Sequence, residues 1–198
     1  MPAAPEDDHR DRILAAMLDA IGDAGWADLT IADIVRRAHV SKRTFYEHFA
    51  TKEACLLALC EREGTRLVDD LEAAIQRIPP DTRRVGEGAR FYLAHLQARP
   101  RVVRALTVDI LQLGAEGLAV RRRVMRRFAA LLQRELNASG TRPPISLDVA
   151  MVLVGGINEL TLEAFEAGRS AELDKLAVPI IDVVGRMLSS PTPRTRRR

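Results

Sequence analysis

The chain has 198 residues, 47% of them hydrophobic, a net charge of +3 and a pI of about 9.2. That is enough apolar material to bury the core of one large domain or two small ones. No apolar run approaches the roughly 18–20 residues needed to cross a membrane, which excludes a helical membrane span. Aromatic residues are few and Ala, Leu, Arg and Glu dominate, which favours helix.

The first helix is predicted over about Asp8–Ala24, with Ile13, Leu14, Met17, Leu18 and Ile21 as its buried stripe and Gly25 as its stop. Thr30 caps a second, short helix anchored by Ile31, Ile34 and Val35, and Asp33 is favourable in its first turn. His39 and Val40 form a turn, and Ser41 caps a third helix anchored by Phe45 and Phe49. On a helical wheel Arg43 and Glu47 point away from the two phenylalanines, Lys42 and Tyr46 lie on one flank and Thr44 on the other. Glu47 is read as a solvated or intramolecularly paired carboxylate. Thr51 caps a fourth helix expected to run to about Ile78, where Pro79-Pro80 breaks it. Residues 1–50 hold six basic and nine acidic side chains, yet residues 34–52 hold five basic and one acidic. A basic patch inside an acidic segment suits a surface aimed at phosphate.

A fifth helix is predicted over about Asp81–Ala98, a sixth from Pro100 to near Gly114, and a seventh over about Glu116–Ala138, closed by Gly140 and Pro143-Pro144. The eighth covers about Ser146–Ala167 and the ninth about Ala171–Ser189, kinked at Pro179. The arginine run Arg121–Arg123 with Arg126 and Arg127 reads as the wet face of the seventh helix. The tail, residues 191–198, is expected to be a disordered basic segment. Cys55 and Cys60 lie five apart on one helix, so they point in different directions and read as two buried thiols of a reducing cytoplasm. The opening residues MPAAPEDDHR lack the apolar run of a signal peptide. The four histidines show no ligand spacing, and no phosphate loop, HExxH or nucleophile elbow occurs, so neither metal, cofactor nor enzymatic activity is expected.

The stretch from Ile13 to Leu57 resembles the N-terminal DNA-binding domain of the TetR family of transcriptional regulators. The resemblance is carried by Gly25, the Thr30–Val35 helix, the Ala38-His39-Val40-Ser41 turn, Thr44-Phe45-Tyr46, His48-Phe49 and Lys52-Glu53. His39 departs from it, since the family usually has glycine in the turn. The resemblance implies an all-α fold of about nine helices: a three-helix helix-turn-helix domain, residues 1–53, then a ligand-binding and dimerisation domain, residues 54–190. It places Thr30, Tyr46 and Lys52 on phosphates and Lys42, Arg43 and Thr44 near base edges, with Ser41 and His48 in the same surface. It implies a cytoplasmic homodimer on double-stranded DNA, most often a repressor, released by a small-molecule effector. The alternative on the same fold is an architectural or cell-division DNA binder without an effector, and an enzyme is the least favoured reading.

The eighth helix is apolar on nearly all sides and the ninth carries a broad apolar stripe. Both features fit a family dimer that packs its last two helices between subunits. Leu153, Gly156, Leu160, Ala164, Ile180, Val184 and Met187 are the expected interface. An effector pocket is expected between helices five, six, seven and eight. Its candidate residues are Tyr92, His95, Asp109, Gln112 and Asn158, polar groups near apolar stripes, with Leu113, Met125 and Phe128.

Overall fold

The computed structural model describes residues 5–139 and 144–189, and every regular element among them is helical. The expected tail and the stop at Gly140 and Pro143 lie outside the described residues. The helices are α1 (Pro5–Ala24), α2 (Ile31–Ala38), α3 (Lys42–His48), α4 (Lys52–Ile75), α5 (Thr82–Ala98), α6 (Pro100–Thr107), α7 (Gly114–Ala138), α8 (Leu147–Glu166) and α9 (Ala177–Ser189). Two 3-10 turns, Asp109–Leu113 and Ser170–Leu176, precede α7 and α9. The chain packs as two units. One comprises the residues up to Gly64 with Arg99–Val124, the other Thr65–Ala98 with the residues from Met125 on.

The core of the first unit joins Ile13, Leu14, Met17 and Ile21 of α1, Ile34 of α2, Phe45, Phe49 and Leu56 with Val102 and Ala105 of α6. Phe45 is completely buried, and burial of such a side chain contributes about 1.5–3 kcal/mol. Gly25 ends the chain's run out of α1 at φ +85°, a conformation that side chains disfavour. Gly117 is needed for packing: a Cβ there would meet the Ile110 carbonyl oxygen at 1.9 Å. In the second unit Val68, Ile75 and Leu131 form one apolar cluster, and Val85, Leu136 and Val184 another, with Leu132, Ile145 and Leu153 packed against it.

Three boundaries differ from the sequence reading. Helix α4 stops at Ile75, three residues early, because Ile78 precedes proline and is steered away from the helical region. Helix α6 stops at Thr107, whose hydroxyl donates back to the Val103 carbonyl at 2.6 Å, and the chain tightens into a 3-10 turn instead of continuing to Gly114. In the last hairpin the break falls before Ala177 and not at Pro179. Glu172 is non-helical, and Pro179 sits in the first turn of α9, where no amide donor is required.

Arg123 and Arg127 of the arginine run of α7 are exposed but engaged, as is Arg134 further along the helix. In the first unit Arg123 pairs with Glu61 at 3.0 Å. In the second Arg127 donates to the Thr65 hydroxyl and Arg134 pairs with Glu72 at 2.7 Å. These side chains turn toward α4 in exposed pairs, which solvent screening leaves with little effect on stability.

Candidate functional site

The surface around α2 and α3 is built by local capping. The Thr30 hydroxyl accepts from the Asp33 amide at 3.2 Å, and the Asp33 carboxylate accepts from the Thr30 amide at 3.2 Å and hydroxyl at 2.5 Å. These bonds, with the nearby Arg36, hold the Asp33 carboxyl below its ordinary 3.8. At the turn His39 is left-handed, φ 52° and ψ 46°, where glycine would be free of strain. Ser41 then caps α3: its hydroxyl accepts from the Thr44 amide at 3.0 Å and bonds the Thr44 hydroxyl at 2.9 Å. Thr51 caps α4 through the Ala54 amide at 3.0 Å.

With Phe45 and Phe49 buried, the opposite side of α3 is open. Lys42, Arg43 and Tyr46 are exposed, Thr44 and His48 half-buried. The Tyr46 ring stands edge-on to Phe45 with centroids 5.7 Å apart, which fixes where its hydroxyl emerges. Arg43 pairs with Glu47 at 3.0 Å, the intramolecular pairing considered for that carboxylate. Thr30, Ser41, Lys42, Arg43, Thr44 and Tyr46 therefore lie on one short stretch of chain bounded by the caps. His48 is drawn inward, its ring 6.4 Å from those of Phe49 and His9. Lys52 is partly committed elsewhere. Its ammonium donates to the Leu29 carbonyl at 2.7 Å and the Trp26 carbonyl at 3.4 Å, and lies 4.1 Å over the Trp26 ring.

One supporting residue was not singled out in the sequence. Arg12 of α1 donates through Nη2 to the carbonyls of Ala38 at 2.6 Å and His39 at 2.9 Å. It satisfies carbonyls that the end of α2 leaves without helical partners and so braces the strained turn. Asking what partners those carbonyls have was the available signal.

The second unit holds a cavity with an empty volume of about 760 Å³, part of it open to solvent. Its walls come from Leu71 and Ile75 of α4, the Arg84, Val85, Gly88, Ala89 and Tyr92 stripe of α5, Phe128, Leu131, Leu132 and Glu135 of α7, Val154 and Ile157 of α8, and Ile180 and Val184 of α9. Tyr92 and Phe128 stack edge-to-face with centroids 5.5 Å apart, and burial pushes the Tyr92 phenol up to about 12. Arg84 and Glu135 pair at 3.0 Å, and Arg84 Nε also donates to the Ile78 carbonyl at 2.6 Å.

Of the expected pocket residues, only Tyr92 and Phe128 are on these walls. Asp109, Gln112 and Leu113 belong to the 3-10 turn of the first unit, where Leu113 packs against the core and Asp109 faces Arg104 at 4.0 Å. His95, Met125 and Asn158 are half-buried in the second unit away from the walls, and the Asn158 amide nitrogen is buried without a partner among the described residues. Helix α6 contributes nothing to the cavity, and α4 and α9 contribute in its stead.

The expected interface residues also divide. Ala164, Ile180 and Val184 are buried within the chain, the last two against the cavity, and Leu153 packs against the core. Gly156 and Leu160 are exposed and Met187 is half-buried. The apolar surface left open is Val149, Val152 and Leu160 on α8 and Val178 and Val183 on α9, with Val152 74% exposed. Cys55 and Cys60 are both buried, and burial raises each thiol to about 12.

The sequence pattern of the family described as bacterial regulatory proteins, tetR family, matches residues 13–59. The transcriptional regulator AlkX of Mycobacterium tuberculosis is 30% identical over 109 residues, 52% of this chain and 52% of that protein. The chain thus spans about half the length of the curated relatives it matches. Among solved structures, the fatty acid degradation regulator FadR from Bacillus halodurans aligns over 100% of both chains with a TM-score of 0.71 at 16% identity. FadR from Bacillus subtilis in complex with stearoyl-CoA aligns over 92% of this chain and 99% of its own, with a TM-score of 0.68 at 14% identity. The described residues thus form an all-helical protein with an N-terminal helix-turn-helix. Its residues 13–59 are similar to the TetR family of bacterial regulatory proteins.

Proposed function

We propose that this chain is a cytoplasmic transcriptional repressor, without enzymatic activity, that binds a near-palindromic operator as a homodimer and is released by a small-molecule effector. The observation that carries the reading is α3. It is capped by Ser41 and anchored through Phe45 and Phe49, and it presents Lys42, Arg43 and Tyr46 to solvent. A helix so anchored is able to lie in the major groove, where arginine donates twice to a guanine edge. Tyr46 and a remaining donor of Lys52 suit phosphate oxygens, and Thr30 does so by turning its hydroxyl from Asp33 to the phosphate. Residues 1–53 are the DNA-binding domain, scaffolded by the neighbouring parts of the first unit, and 54–190 serve effector binding and dimerisation.

Dimerisation is supported by the apolar face on α8 and α9, a surface that single soluble chains seldom leave open. Two recognition helices on a two-fold axis then read half-sites about 34–36 Å apart. The effector reading is supported by the apolar cavity, and by a regulator of this fold having been solved with stearoyl-CoA. Leu71 and Ile75 on the cavity wall belong to α4, the helix that follows the recognition helix in sequence.

The test is operator selection from random duplexes, followed by binding of wild type and Arg43→Ala at several salt concentrations. The selected site is expected to be a near-palindrome, and Arg43→Ala to relax preference at one position per half-site by about 1–3 kcal/mol. Failure to enrich any site, or equal preference in the variant, refutes the assignment.

A further inference from the structure

The cavity is not featureless, and its polar groups are unevenly disposed. On α5 the wall residues recur as Arg84, Val85, Gly88, Ala89 and Tyr92, so Arg84 and Tyr92 stand about 12 Å apart along the helix axis. On α7, Phe128 stacks on Tyr92 and Glu135 pairs with Arg84. One end of the space is therefore aromatic with a hydroxyl, the other end is an ion pair, and the walls between are aliphatic.

The ion pair is nearly buried, each side chain 14% exposed. Its charges cancel. The Arg84 guanidinium already serves the Glu135 carboxylate and the Ile78 carbonyl. An anion approaching Arg84 meets the carboxylate beside it, and a cation approaching Glu135 meets the guanidinium. Either ion leaves its own water for an apolar chamber with no net charge to receive it, and that desolvation goes uncompensated. A hydroxyl or carbonyl group faces no such penalty. It can bond to the edge of the pair, or to the Tyr92 hydroxyl, which donates and accepts.

We propose that the Arg84–Glu135 pair acts as a charge filter, making this cavity selective for uncharged, largely apolar molecules carrying a hydroxyl or carbonyl group. Carboxylates and amines of the same size are rejected. The inference rests on the effector reading above and adds the class of effector to it.

The experiment uses the full chain and three probes of one length: octan-1-ol, octanoate and octylammonium. Calorimetry and thermal shift are read at neutral pH on wild type, Glu135→Gln, the double variant Arg84→Gln/Glu135→Gln, and Ala89→Trp. Wild type is expected to bind the alcohol about tenfold or more tighter than either ion. Glu135→Gln keeps the volume but leaves Arg84 unpaired, so octanoate should overtake the alcohol. The double variant carries neither charge, should again prefer the alcohol, and serves where the single variant folds poorly. Wild type binding either ion as tightly as the alcohol, or an unchanged order in Glu135→Gln, overturns the filter and leaves the effector reading standing. Alcohol binding left unweakened by Ala89→Trp, which places an indole in the cavity, lies elsewhere and overturns the effector reading as well. Failure of all three probes on every protein does the same.

Discussion

Lys52 is the residue at which structure and family resemblance make separable claims. By resemblance it touches phosphate. In the structure its ammonium ties down the loop between α1 and α2 through the Leu29 carbonyl at 2.7 Å and covers the Trp26 ring at 4.1 Å. A hydrogen bond from a charged donor contributes about 1.5–3 kcal/mol, and a partly exposed cation over an aromatic face about 0.5–1 kcal/mol. The site is only partly buried, so the lower ends apply and Lys52→Ala should cost about 2 kcal/mol. For a chain of this size that lowers the melting temperature by about 4–8 °C. Lys52→Met keeps the stem on Trp26 and should recover a minor part of the loss. If the third ammonium proton also meets a phosphate, Lys52→Ala flattens the log–log salt dependence of operator binding by about 0.9. Thermal unfolding and salt-dependent anisotropy on the same samples read the two roles independently. A melting temperature within about 1 °C of wild type would refute the structural argument. A lowered melting temperature with an unchanged salt slope would leave Lys52 as a brace that never touches DNA.

Three further outcomes are expected. His39→Gly removes a left-handed strain of about 1–2 kcal/mol at an exposed position and adds about 0.5–1 kcal/mol of unfolded-chain entropy. It should therefore stabilise the protein by about 0.5–1 kcal/mol, and a fall in melting temperature would contradict this. Val152→Asp changes a side chain that is already 74% exposed in the single chain, so the fold should survive while sedimentation shifts from dimer to monomer. A dimer that tolerates the aspartate does not use that face. The Cys55 and Cys60 thiols, raised to about 12 by burial, remain protonated well above neutral pH. Alkylation of native protein at mildly alkaline pH should proceed only as fast as unfolding, and rapid labelling would show that the thiols are accessible.

The capped surface of α2 and α3 was legible because its determinants are local. Thr30 with Asp33, Ser41 with Thr44, Thr51 with Ala54 and Arg43 with Glu47 all act within four residues, the reach of a helical turn. Phe45 and Phe49 announce the buried side by the same spacing. The braces of that surface were not legible. Arg12 reaches carbonyls 26 and 27 positions away, and Lys52 reaches one 23 positions away. Nothing in the sequence near either residue names its partner. The cavity failed in the same way. Polar residues near apolar stripes drew attention to Asp109 and Gln112, which the turn after α6 places in the other unit. The polar groups on the cavity wall include Arg84 and Glu135, 51 positions apart, and each alone looks like ordinary surface charge.

The last two helices show a subtler limit. Apolar periodicity states how much of a helix avoids water and leaves open what covers each side. Helix α8 is apolar nearly all round because it has two apolar sides. Val154 and Ile157 face the cavity, while Val149, Val152 and Leu160 face outward. Helix α9 repeats the division, with Ile180 and Val184 inward and Val178 and Val183 outward. The sequence reading chose a dimer face from both sides at once, because one hundred degrees per residue fixes the angle between side chains but not the direction of the core. Only the partners of α9, among them α5, the 3-10 turn before it and Leu136 of α7, decide which side is inward. Once they do, Ile180 and Val184 leave the expected interface for the cavity, and the outward valines become the residues on which a test of dimerisation must be made.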